Sequence, residues 1–163
     1  MATTLPVKIE FSLPEGWQAA PPDEVGAPGV AFIALHLASQ DKFTANITIA
    51  GKIRDESDLV TLAHESVERL REGATVTVAK QAQGGTPELP ALTQTLRIST
   101  TLRGFPVELV QSQVYLLMQD PHDPASHAVI ELALTAKQSQ LDQVADDFED
   151  FVKSVRPAGP EAA

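Results

Sequence analysis

The chain has 163 residues, 43% of them hydrophobic and 21% charged, which suits a single globular domain able to bury roughly 68–70% of its unfolded surface. It has no cysteine, which excludes a disulfide framework, thiolate metal sites and cysteine nucleophiles. Its formal charge is −10, without a basic cluster. That argues against binding nucleic acid or anionic lipid, both of which draw affinity from cations.

The N-terminus has no cationic start followed by an apolar core, and the longest apolar run, Val30–Leu35, falls far short of the about 20 residues of a membrane span. A cytoplasmic protein is expected, with an exported mature domain whose leader has been removed as the alternative. Val7, Ile9 and Phe11 alternate with polar residues and predict a half-buried strand. Leu13–Trp17 ends it in a turn, and 18–28, with Pro21, Pro22 and Pro28, reads as a loop. Val30–Leu37 is apolar on both faces, as a covered strand would be. Phe43–Arg54 alternates, placing Phe43, Ala45, Ile47 and Ile49 on a core face and Thr44, Asn46 and Thr48 on a polar one.

Asp55 or Ser57 can cap a helix over about 58–72, whose Leu59, Leu62, Ala63, Val67 and Leu70 form one stripe, with Gly73 at the C′ position. Four strands follow. Residues 74–80 alternate weakly, and Gly84-Gly85 reads as a hairpin turn. Leu92, Leu96, Ile98 and Leu102 mark the next strand, with Arg97, Ser99 and Thr101 opposite. The turn Arg103–Pro106 leads into 107–118, a loop occupies Asp120–Pro124, and Ala128, Ile130, Leu132 and Leu134 line the last strand. Ser139 and Asp142 resemble a capping box for a helix to about 155, and 157–163 is a tail.

This order predicts one α+β domain over 1–163, with its core at about 5–156. Its form is an α/β/α sandwich with a central, mostly antiparallel sheet of about six to seven strands and two main helices.

Motifs for chemistry are missing from the sequence. His36, His64, His122 and His127 lack metal-ligand spacing, and no nucleophile elbow or phosphate-binding glycine loop is present. No catalytic, cofactor or metal residue is assigned, and the chain is not expected to be an enzyme. The densest charge feature is Asp142, Asp146, Asp147, Glu149 and Asp150 on the last helix. It reads as a solvated face, or as a docking surface for a basic partner. The polar faces around Asn46 and Arg97 would form one small-residue surface if their strands were neighbours. Trp17, the sole tryptophan, either plugs a sheet edge with its N–H bonded or anchors an interface. The residues proposed for interaction are Trp17, Asn46, Arg97, Asp142, Asp146, Glu149 and Asp150.

Phe11-Ser12-Leu13-Pro14-Glu15-Gly16-Trp17 resembles the opening of PsbP/Mog-type domains, which include DcrB-like proteins and LpqN-type lipoproteins of bacteria. Phe43–Ile49 is similar to their F-x-x-N-I-x-[IV] strand, and the resemblance runs over about 5–156. It implies an α/β/α sandwich without shared catalytic residues or a cofactor, used for accessory, binding or chaperone-like roles. LpqN-type members carry a lipoprotein leader and a lipidated cysteine; neither is read in this sequence, so cytoplasmic DcrB-like relatives are the expectation. The function expected is a non-catalytic protein-binding adaptor or chaperone-like module of unknown partner. The alternative is a small-molecule or lipid-binding domain of the cell envelope.

Overall fold

Period-two alternation along five long segments builds one sheet, and two amphipathic helices lie on it. The computed structural model describes residues 5, 9–23, 30–39, 43–54, 59–86, 89–102, 104–120 and 123–157. In chain order these are β1 (Ile9–Glu10), β2 (Gln18–Ala20), β3 (Phe32–Leu35), β4 (Asn46–Arg54), α1 (Leu59–Arg71), β5 (Thr75–Gly85), β6 (Pro90–Leu102), β7 (Phe105–Asp120), β8 (Asp123–Lys137), α2 (Leu141–Ser154) and β9 (Arg156–Pro157). Seven strands form an open, wholly antiparallel sheet in the order β2-β3-β4-β8-β7-β6-β5, and β1 pairs separately with β9. The chain thus adopts the expected α+β architecture. From β4 it crosses by α1 to the far edge, then returns strand by strand until β8 closes against β4. β7 and β8 are therefore central strands, buried on both faces.

Neighbouring residues on a strand point to opposite faces, and β7 shows what covers each. Val114, Leu116 and Met118 join Ile47, Ile49, Ile130, Leu132 and Leu134 under Val144, Phe148 and Phe151 of α2 and Val155 just after it. Tyr115, one residue away, joins Leu92 and Val129 under Leu62 and Ala63 of α1. Val67 of the same helix packs with Val76, Leu96, Ile98 and Leu109. The N-terminal segment completes the α2 layer. Phe11 meets Phe32 and Phe151 edge-on at 5.1 and 5.4 Å, and the Ser12 N–H donates to Ser154 Oγ at 2.9 Å.

Several boundaries differ from the sequence reading. Gln18–Ala20, inside the expected loop, becomes edge strand β2 because β3 offers it a partner. Regular pairing of β4 begins at Asn46, so alternation does not bind Phe43, which packs in the α1 layer with Val67 and Leu96. The turn expected over Arg103–Pro106 is tighter, since Phe105 already pairs with Leu102. Gly104 supplies the positive φ (84°) that such a turn demands. The Asp120–Pro124 loop also shrinks, since Asp120 pairs with Asp123 before the register shifts to Gln119 opposite His127. Pro124 falls in that irregularity, where its missing N–H breaks no ladder bond.

Ser139 does not cap α2, because 138–140 form a 3-10 turn. The buried Gln140 amide closes that turn, accepting from the Lys137 N–H at 2.7 Å, and donates to the Phe43 carbonyl at 2.7 Å. Pro157, expected to open the tail, pairs instead with Ile9, next to Arg156 opposite Glu10. Val7, the caps Asp55 and Ser57, and 158–163 lie outside the described residues.

Phe151 is fully buried between α2, the sheet and Phe11. Phe151→Ala is expected to lower stability by about 3–5 kcal/mol in denaturant titration, and exposed Leu37→Ala by no more than about 0.5 kcal/mol.

Candidate interaction surface

The odd-numbered residues of β6 (Thr93, Thr95, Arg97, Ser99 and Thr101) point to the α2 side of the sheet. Register sets Ala82 opposite Thr93, Lys80 opposite Thr95, Thr77 opposite Arg97 and Thr75 opposite Ser99. α2 sits over β4, β8 and β7, and this corner stays open, with Thr75, Thr77, Lys80, Ala82, Thr93, Arg97 and Thr101 all exposed. Lys80 and Arg97 are diagonal neighbours, so their side chains spring from points roughly 7–8 Å apart. Among the described residues neither makes an ion pair. Glu108, the acid on this face, accepts from Ser99 Oγ at 2.6 Å.

β5 is also the edge of the sheet, and hairpin geometry shows which backbone groups face outward. Thr86 and Leu89 exchange both N–H···O bonds, at 3.1 Å each. Paired residues then alternate along the ladder, so Gln81, Gln83 and Gly85 direct N–H and C=O away from β6. Pro90 fits this phase. It stands opposite Gly85, and its missing N–H lies on the β7 side, where pairing stops at Ala91. Beyond the bulge between Val78 and Lys80 the outward groups belong to Val76 and Val78. The Val76 carbonyl is already taken by Arg71 of α1, through Nε at 3.3 Å and Nη2 at 3.2 Å. Half of the edge is thus closed by a helix side chain, and the half from Lys80 to Gly85 is solvent-exposed. At Gly85 (φ +81°) any Cβ would collide with the Leu89 carbonyl, so only glycine turns the chain there.

No protein-family model matches the sequence, and no curated protein matches it. The solved structures do better. LpqN of Mycobacterium tuberculosis, described as involved in cell envelope biogenesis, superposes with a TM-score of 0.66 at 12% identity, covering 93% of this chain and 86% of its own. Cyanobacterial PsbP (CyanoP) of Synechocystis gives 0.63 at 14% identity, covering 92% and 86%. The Saccharomyces cerevisiae Ran-binding protein Mog1p gives 0.53 at 11% identity, covering 91% and 89%. The fold is the PsbP/Mog-type fold. At these identities the likeness concerns architecture alone.

Within this PsbP/Mog-type fold the sequence-proposed residues separate. Arg97 stands on the open corner. Asn46 faces the other side, half-buried, donating to the Thr44 carbonyl at 3.2 Å. The two polar faces imagined as neighbours are held apart by β8 and β7, and register puts Thr48 in line with Ala133, Gln113 and Gln94 rather than with Thr93. Trp17 is 8% exposed, which rules out an exposed anchor. Its indole N–H donates to Asp147 Oδ2 at 2.9 Å, and its ring lies 5.0 Å from that of His36. Asp142, Asp146, Glu149 and Asp150 are exposed on α2. Glu149 pairs with Lys153 at 3.1 Å and holds that ammonium above its ordinary pKa. His64 is exposed beside Glu68, and His122 lies outside the described residues. Among the described residues no cluster of His, Asp and Glu could hold a metal, and no helix is long and apolar enough to cross a membrane.

The sequence reading missed a buried polar ladder beneath α1. Gln94 Nε2 donates to Gln113 Oε1 at 2.6 Å and to the Ala63 carbonyl at 3.2 Å. Gln81 Nε2 donates to Gln94 Oε1 at 3.1 Å, Gln113 Nε2 to Ser66 Oγ at 3.1 Å, and Tyr115 Oη to Gln113 Oε1 at 2.9 Å. The available signal was glutamine at inward positions of otherwise apolar alternation, at 94 and 113. The ladder fixes α1 against three strands and ends at the Gln81 edge.

Two outcomes follow from these contacts. Trp17→Phe keeps the ring but removes the donor to Asp147, and is expected to cost about 1.5–3 kcal/mol in chemical denaturation. Burial, reinforced by Glu131, raises the Tyr115 pKa well above its ordinary value of about 10. An unfolded chain ionises there first, so stability is full below about pH 10 and falls as pH rises past it. Tyr115 is the sole tyrosine, so its phenolate absorbance should appear together with loss of circular dichroism, and Tyr115→Phe should flatten the alkaline fall.

Proposed function

We propose that this chain is a non-catalytic protein-binding module, an adaptor or chaperone-like accessory protein, which receives its partner at the β5 edge and the bare β5–β6 corner. The observation that carries this reading is the exposed edge from Lys80 to Gly85, beside a sheet face that no described element covers. Exposed edges are a structural hazard that proteins blunt unless they use them. The groups gathered here are hydroxyls, two cations, the Glu108 carboxylate and backbone amides. Such groups suit recognition of an extended chain. The Ran-binding description of Mog1p, which shares the fold, supports a protein partner.

A photo-crosslinking residue placed at Gln83 tests this, with another at Asp146 on α2 for comparison. In native lysate a discrete adduct is expected from position 83 and not from 146. Adducts from 146 alone, or from neither, would overturn the reading.

A further inference from the structure

The partner's chemistry is written in the charge and geometry of that same edge. Three features meet between Lys80 and Gly85. The outward N–H and C=O groups of Gln81, Gln83 and Gly85 repeat every second residue, the spacing a strand presents to another strand. Lys80 on this edge and Arg97 on the neighbouring strand share the α2 face with Glu108, which is engaged by Ser99, and the two cations make no ion pair among the described residues, although the chain as a whole carries −10. On the opposite face the edge carries the uncharged Gln81 and Gln83, with Val78 40% exposed just beyond the bulge. Of the other described cations, Arg71 is held by Glu68 and the Val76 carbonyl, Lys153 by Glu149 and Arg156 by Glu10, while Arg69 on α1 is exposed.

A strand added at β5 would set its alternate side chains beside Lys80 and Ala82 on the α2 side, with Arg97 one strand further in, and the others beside Gln81 and Gln83. The outer surface of α2, with Asp142, Asp146, Glu149 and Asp150, would repel an acidic chain and confine it to this corner. Resting on the binding-module reading above, we infer that the β5 edge captures an extended segment of a partner protein as an eighth strand. An acidic side chain on the α2 side of that segment faces Lys80, with Arg97 on the next strand in.

The test uses the full chain and two capped, fluorescent octapeptides, one alternating valine with glutamate and one alternating valine with lysine. Fluorescence anisotropy should show the glutamate peptide binding at least about tenfold more tightly, with the order reversed in Lys80→Glu/Arg97→Glu. Gln83→Pro removes an outward N–H that the fold does not use. It should abolish binding of the glutamate peptide while leaving the unfolding midpoint unchanged. Backbone exchange at Gln81, Gln83 and Gly85 should slow when that peptide binds.

Equal binding of both peptides, or binding untouched by Gln83→Pro, would overturn the inference. So would a concentration-dependent dimer in sedimentation that Gln83→Pro abolishes, because the occupant would then be a second copy. If position 83 still crosslinks a partner while neither peptide binds, the acidic strand fails and the binding module survives. If no partner crosslinks, both fail.

Discussion

A seven-stranded antiparallel sheet is about 29 Å across at about 4.8 Å per strand, and a helix about 10 Å wide cannot cover it. The chain has one long helix for each face, and the rest of the structure follows from where they are laid. α1 lies over β5, β6 and β7 because the β4-to-β5 connection must cross those strands to reach the far edge. α2 lies over β8 and its neighbours because it follows β8 directly. Each face is therefore covered off-centre. The N-terminal segment, with Phe11, Leu13 and Trp17, extends the α2 layer toward β3. Nothing described extends it toward β5, and that shortfall creates the bare corner.

Trp17 shows how a covering segment is secured. It has to lie flat over the sheet edge, so it carries a large ring. A buried ring with an N–H then needs an acceptor. Asp147 supplies it from α2, so one of the five acids on that helix has a structural task while four remain exposed. The glutamine ladder does comparable work on the other face. Its amides fix α1 in register with β5, β6 and β7, and partners at Ala63, Ser66 and Tyr115 satisfy groups that would be costly if buried alone. The ladder runs out to Gln81 on the exposed edge.

Much of this was legible in the residues. The alternation at 46–54, 91–102 and 128–134 located strands, the stripe Leu62–Val67 located α1, and Phe11–Trp17 pointed to the fold before any coordinates. The illegible parts share one cause. β2 exists because β3 has a free edge, Phe43 turns away because pairing starts three residues later, and a 3-10 turn closed by Gln140 precedes α2 where Ser139 was expected to cap it. Of the residues proposed for interaction, Arg97 is on the open corner, whereas Trp17 and Asn46 are engaged internally. Lys80, Gln81 and Gln83 went unnoticed because an edge strand differs from a central one only in what stands beside it.

The sequence by itself determined which segments become strands and helices, which face of each is apolar, and that the molecule is acidic and free of thiol chemistry. Period and composition are local properties, and a single chain displays them fully. Only the tertiary structure decided the strand order, and with it that β4 and β6 present their polar faces on opposite sides, that Trp17 is buried against Asp147, and that the half of β5 beyond Arg71 is left open. Those depend on register between distant segments and on how far a helix reaches across a sheet. Neither quantity is written at any one position.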